Sequence, residues 1–166
     1  MVLGGTGVAQ PTYLMVCMVT NEAPAQAAPS VPPRDAKREG GPCKSILVVE
    51  DDGGIRETLK YALELEGYKV FTAANGRIAV DLLPKISKPC LILLDLMMPE
   101  MNGWEFVDAI EKDKELAAIP VVVVTAFADR SRTIKSNGVI KKPVDLDVLY
   151  SVVKQWCGTG GENTKT

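Results

Sequence analysis

"CLILLDLMMPEMNGWEF", Cys90 to Phe106, decides how this chain folds. Its first half is an apolar run of strand length, apolar on both faces, which reads as a strand buried in a parallel sheet. The run ends on Asp95, where an ionised group is costly unless it is paired or metal-bound. Pro99 and Gly103 then mark a turn, and Phe106, Val107 and Ile110 recur at helical spacing. Strand, turn and helix in that order form the repeating unit of an alternating β-α domain.

The alternation extends both ways. "SILVVE" (Ser45 to Glu50), "YKVFTA" (Tyr68 to Ala73), "PVVVVT" (Pro120 to Thr125) and "GVIK" (Gly138 to Lys141) read as further strands, rich in β-branched residues and bounded by Pro, Gly or Asn. Helical stripes lie between and after them: Ile55, Leu59, Ala62 and Leu63; Ile78, Leu82 and Leu83; and finally Leu146, Leu149, Val153 and Trp156. The expectation is a doubly wound α/β domain, its sheet covered by helices on both faces through right-handed crossovers.

Such sheets bind ligands outside the carboxyl ends of their strands, where the strand order reverses. Those ends carry Glu50 with Asp51 and Asp52, then Asp95, Thr125, and Lys141 with Lys142. Clustered carboxylates repel one another unless a cation sits among them, and an all-oxygen site suits Mg²⁺. A hydroxyl and an ammonium group opposite are donors for a phosphoryl group. A carboxylate can itself be the nucleophile, forming an aspartyl phosphate.

Composition narrows the chemistry further. The 166 residues are 46% hydrophobic, enough for one domain with a real core, and the formal charge of -2 favours neither nucleic acid nor an anionic membrane as partner. There is no histidine, which excludes an imidazole base, a Ser-His-Asp or Cys-His pair, and any histidine metal ligand. Cys17, Cys43, Cys90 and Cys157 form no CxxC pair, which argues against a zinc site, a redox motif or a disulfide framework; a reducing cytoplasm fits best. Residues 1–43, with "NEAPAQAAPSVPPRDAKREGGP", are rich in Pro, Ala and Gly and read as a flexible tail. Their apolar stretch "TYLMVCMV" is far shorter than the ~20 residues that span a bilayer, and no basic residue precedes Arg34 as a signal peptide would want.

Four motifs, "ILVVEDD" (Ile46 to Asp52), "LILLDLMMPEMNGWEF", "PVVVVTAFA" (Pro120 to Ala128) and "KKPVD" (Lys141 to Asp145), stand in an order and spacing that resemble the receiver domain of two-component response regulators. The resemblance covers Lys44 to about Cys157 and implies a five-stranded flavodoxin-like sheet of order 2-1-3-4-5. It implies that Asp95 is the phosphoacceptor, taking a phosphoryl group from a phosphohistidine on a partner kinase or phosphotransfer protein. Glu50, Asp51, Asp95 and the backbone carbonyl of Met97 would hold Mg²⁺, Glu50 through water. Thr125 would bind the phosphoryl oxygens, and Lys142 would pair with Asp95 or its phosphate. Taken singly, Asp51 and Asp52 could equally cap a helix, Thr125 could be an ordinary strand residue, and the two lysines could be solvated charges.

Two other classes are weighed against the receiver. A phosphatase of the haloacid dehalogenase type would carry a second Asp two residues after the nucleophile, where this chain has Met97. A degenerate receiver would keep the fold as an interaction module without phosphorylation, yet every expected functional position is filled. The chain departs from the family between Thr125 and Lys142, where "AFADRSRTIKSNGVIKKP" is short, so the helix expected within Asp129 to Asn137 should be short or partly unwound. Val139 stands where the family often has a switch aromatic, and output is therefore expected to use reordering of Ala126 to Gly138. Met97 and Phe127, which flank the approach of hydrolytic water in the family, cannot hold a water in line, so slow self-dephosphorylation is expected. Gly158 to Thr166 is expected to be a tail, leaving a stand-alone receiver that signals to another protein.

Overall fold

The computed structural model describes residues 43–127 and 134–158. Five strands, β1 (Ser45–Val49), β2 (Lys69–Ala73), β3 (Leu91–Leu94), β4 (Val121–Thr125) and β5 (Gly138–Lys141), form one parallel sheet. Their order is β2-β1-β3-β4-β5, the one expected, and each expected strand is present to within a residue at either end. Among the described residues there are four helices, α1 (Gly53–Leu65), α2 (Gly76–Leu82), α3 (Gly103–Ile110) and α4 (Leu146–Cys157). None is long and apolar enough to cross a membrane.

The central strands β1, β3 and β4 are buried at every position, which is why they read as unbroken apolar runs. Alternate side chains serve two cores. Ile46, Val48, Leu91, Leu93, Val122 and Val124 pack under Leu59 and Leu63 of α1 and Leu149, Val153 and Trp156 of α4. Leu47, Val49, Ile92, Leu94 and Val121 pack on the other face with Ala79 of α2 and Phe106, Val107 and Ile110 of α3. Edge strands β2 and β5 are only partly buried.

Every helix begins on an Asp or Asn whose side chain accepts a backbone N–H of the first turn: Asp52, Asn75, Asn102 and Asp145. Asn102 and Glu105 form a reciprocal capping box. Two expected stripe residues, Ile78 and Leu146, are exposed, each in the first turn of its helix. The α2 helix gives way to a 3-10 turn at Leu83–Lys85, where Pro84 cannot supply the next backbone N–H. The helix expected within Asp129 to Asn137 falls largely on residues 128–133, outside the described residues; 134–137 contain no helical turn.

Candidate functional site

The chain runs from β1 to edge strand β2 and then returns across β1 to β3, so the strand order reverses between β1 and β3. Residues leaving the carboxyl ends of these two neighbours therefore open into a common crevice. Glu50 and Asp51 follow β1, and Asp95 follows β3 with its N–H donating to the carbonyl of Val49 at 2.9 Å.

Of the acidic trio after β1, Asp52 is the helix cap, its Oδ1 accepting the N–H of Ile55 at 2.8 Å. Capping is thus done by one residue, and the carboxylates of Glu50 and Asp51 are left to the crevice. Each of Glu50, Asp51 and Asp95 offers a carboxylate oxygen within 4.8 Å of the other two. Asp51 is exposed, Asp95 is nearly buried, and Glu50 is only 2% exposed.

Lys142 closes the cluster from β5. Its Nζ lies 3.0 Å from Oδ2 of Asp95 and 2.9 and 2.8 Å from the two carboxylate oxygens of Glu50. Its backbone N–H donates to the carbonyl of Thr125 at 3.0 Å, fixing the lysine to the end of β4, and the peptide to Pro143 is cis. Oδ1 of Asp95 faces the opposite way and accepts the N–H of Leu96 at 2.6 Å, with the N–H of Met97 at 3.5 Å. Both oxygens of the carboxylate are therefore oriented by this chain's own donors.

Burial pushes the Glu50 carboxyl above the ordinary carboxylate range, and the charges of Asp95 and Asp51 push the same way against the opposing pull of Lys142. For Lys142 burial alone would lower the ammonium, but Glu50 and Asp95 outweigh it and hold the lysine raised. Three carboxylates here face one ammonium, and two negative charges are left over. One divalent cation would neutralise them, and a set of carboxylate oxygens is the hard donor set that Mg²⁺ takes. Oε2 of Glu50, buried and accepting no hydrogen bond of good geometry among the described residues, is oriented only by its ion pair.

Thr125 ends β4 on the same edge, fully buried, with Oγ1 accepting the N–H of Phe127 at 3.2 Å. Met97 and Phe127, whose backbone N–H groups face Asp95 and Thr125, are 46% and 52% exposed. Lys141 is exposed and outside the cluster, so Lys142 is the member of that pair whose ammonium reaches the carboxylates. Two further residues shape the site: Arg56, which residue type alone did not mark, and Gly103, which the sequence marks only as part of a turn. Arg56, one turn into α1, donates from Nη1 to the carbonyls of Glu50 at 2.7 Å and Asp51 at 3.1 Å and so pins the backbone of the acidic pair. Gly103 lets α3 approach Asp95: a Cβ there would stand 2.6 Å from the Asp95 carbonyl oxygen and 2.9 Å from Cα of Leu96. An apolar groove lined by Ile55, Leu59, Pro143, Val144 and Leu146 runs along the Lys142 side of the crevice.

Residues 46–154 match the family described as the response regulator receiver domain. The chain is 33% identical over 120 residues to the polar-differentiation response regulator DivK of Brucella anthropi, covering 69% of this chain and 97% of that protein. Among solved structures it is similar to the signal receiver domain of a signal transduction histidine kinase from Syntrophus aciditrophicus, with 34% identity, a TM-score of 0.63, and coverage of 74% and 96%. It is also similar to the response regulator TrrA of Thermotoga maritima, solved in complex with Mg²⁺-BeF, with 32% identity, a TM-score of 0.61, and coverage of 68% and 98%.

Proposed function

The chain belongs to the response regulator receiver family, and on that premise we propose that it is a phosphoacceptor signalling protein modified on Asp95. The observation that carries this reading is the crevice itself: three carboxylates within 4.8 Å of one another, with one of them held at 3.0 Å by Lys142. In this reading residues 44–157 are the receiver unit, and the donor is a phosphohistidine on a sensor kinase or phosphotransfer protein, since the chain has no histidine of its own.

A carboxylate oxygen of Asp95 attacks phosphorus, the P–N bond to the donor imidazole breaks, and its electron pair stays on the imidazole nitrogen, which takes up a proton. Leu96 N–H and Lys142 Nζ keep the carboxylate oriented beforehand, so little reorganisation accompanies attack. The Thr125 hydroxyl and the Lys142 ammonium donate to the phosphoryl oxygens as charge moves onto them. Glu50, Asp51, Asp95 and the Met97 carbonyl would hold Mg²⁺, which when bound neutralises the approaching phosphoryl charge. That TrrA was solved with Mg²⁺ and BeF supports this choice of metal. The adjoining apolar groove supports a protein as donor, because it gives a partner surface beside the acceptor.

The phosphorylated form then signals by binding another protein or passing the phosphoryl group onward, without turnover of a small substrate, and we place this in the cytoplasm. A degenerate receiver would do the same work unphosphorylated. Incubation with acetyl phosphate and Mg²⁺ separates the two: the chain gains one phosphate by intact mass and the Asp95→Asn variant gains none.

A further inference from the structure

At the other end of the sheet, three thiols that lie far apart in sequence meet. Cys43 precedes β1, Cys90 precedes β3, and Cys157 ends α4. None of the three is in a disulfide, and Cys90 and Cys157 belong to one buried cluster against which Cys43 packs. The pairing of β1 with β3 makes this meeting, since the N–H of Cys90 donates to the carbonyl of Ser45 at 2.8 Å.

The two sulfurs at the strand entrances are placed reciprocally. Sγ of Cys90 lies 3.0 Å from the Cys43 carbonyl and 2.9 Å from that of Ser45, and so sits over the segment that carries Cys43. Sγ of Cys43 lies 3.6 Å from Oγ of Ser45 and 3.7 Å from the carbonyl of Lys88, over the segment that carries Cys90. Cys90 and Cys157 are buried, whereas Cys43 is half-buried and reaches solvent. Burial pushes the Cys43 thiol up, so it reacts from a small thiolate fraction, but it is the one of the three that an oxidant reaches first, with Cys90 beside it.

We propose that Cys43 and Cys90 form a reversible oxidation site, closing a disulfide when the chain meets a peroxide. The Cys43 thiolate attacks a peroxide oxygen; the S–O bond forms, the O–O bond breaks, and the departing oxygen takes a proton and leaves as water. The Cys90 thiolate then attacks the sulfenic sulfur; the S–S bond forms, the S–O bond breaks, and the hydroxide leaves as a second water with the proton of Cys90. Two thiols lose two electrons and two protons in all, and the peroxide is reduced to two waters. Thiol reductants reverse the reaction by exchange. The bond would pin the start of β3 to the point at which residues 1–42 join the domain. Asp95 lies at the opposite end of β3, so the acceptor crevice is left untouched.

The test uses the full chain, reduced, treated with hydrogen peroxide, then denatured and alkylated. The expected result is protection of two of the four thiols, a mass loss of about two hydrogens, and a linked peptide pair carrying Cys43 and Cys90. Cys43→Ser, at a half-buried position that leaves circular dichroism unchanged, abolishes the link, and dithiothreitol restores all four alkylations in the unsubstituted chain. Four alkylated thiols after peroxide, a link through Cys17 or Cys157 instead, or overoxidation of Cys43 without a link would each overturn the proposal. The mapping on the unsubstituted chain decides the matter even if a serine variant folds poorly.

Discussion

The Lys142 ammonium stands 3.0 Å from Oδ2 of Asp95 while also holding Glu50, a carboxylate only 2% exposed. One cation therefore serves two acids that leave different strands. It compensates Glu50, whose buried charge would otherwise have no partner at hand, and it orients the proposed nucleophile.

Lys142→Met removes that compensation. Leaving a buried carboxylate unpaired costs about 3–5 kcal/mol where burial is complete, and the partial exposure of Lys142 reduces this to about 2–3 kcal/mol. Urea unfolding at neutral pH should show that loss, and saturating Mg²⁺ should shrink it, because the cation takes over part of the compensation. A variant as stable as the parent would mean that the ion pair does not hold Glu50.

The raised carboxyl of Glu50 sets a pH dependence with a definite sign. In the folded chain it binds its proton more tightly than in the unfolded one, so its contribution to stability falls as pH rises from the ordinary 4.5 through its raised folded value. Glu50→Gln should remove that slope from a series of urea titrations. Mg²⁺ competes with the same proton, and calorimetric Mg²⁺ affinity should weaken as pH falls into this window. Lys142 gives the complementary limit: its stabilisation is present below 10.5 and is lost as pH rises through its raised folded value.

Gly103→Ala sets two effects against each other. Alanine gains about 1 kcal/mol of helix propensity over glycine, but its Cβ would stand 2.6 Å from the Asp95 carbonyl oxygen, which is backbone and cannot swing aside. Overpacking of this kind costs about 1–3 kcal/mol. The net expectation is a loss of up to about 2 kcal/mol in denaturant unfolding, together with slower phosphate uptake, since the displaced residue is Asp95 itself.

Much of this fold is legible in the sequence because β1, β3 and β4 are buried on both faces, and burial on both faces writes an unbroken apolar run. The acidic residues at the strand ends are legible for the same reason, as charges with no packing explanation. Arg56 is not, because it acts through backbone carbonyls, and any exposed arginine on a helix has the same appearance in sequence. The thiol cluster is hidden more deeply. Cys43 and Cys90 are 47 residues apart and are brought together only by the β1–β3 pairing, so the absence of a CxxC spacing carried no information about their distance in space. The division of labour between Asp51 and Asp52 likewise needed the position of α1, which makes Asp52 the cap.

Met97 and Phe127 are half-exposed beside Asp95 and Thr125, with apolar side chains that cannot hydrogen-bond a water into line with phosphorus. A phosphorylated half-life well beyond seconds is expected. Met97→Asn supplies a group that can hold such a water and should shorten the half-life several-fold in a time course of intact mass. A parent half-life of seconds or less would contradict the account of these two residues. The companion expectation, reordering of Ala126 to Gly138 on phosphorylation, falls largely on residues outside the described ones and is tested by hydrogen exchange of that segment before and after phosphorylation.

The most direct test locates the phosphate. After incubation with Mg²⁺ and acetyl phosphate, the acyl phosphate is reduced with borohydride, which converts a phosphorylated aspartate to homoserine, and the peptides are sequenced by mass spectrometry. Homoserine is expected at position 95 and nowhere else, dependent on Mg²⁺. Homoserine at Asp51 or Asp52, or none at any position when a phosphohistidine donor is supplied as well, would contradict Asp95 as the phosphoacceptor.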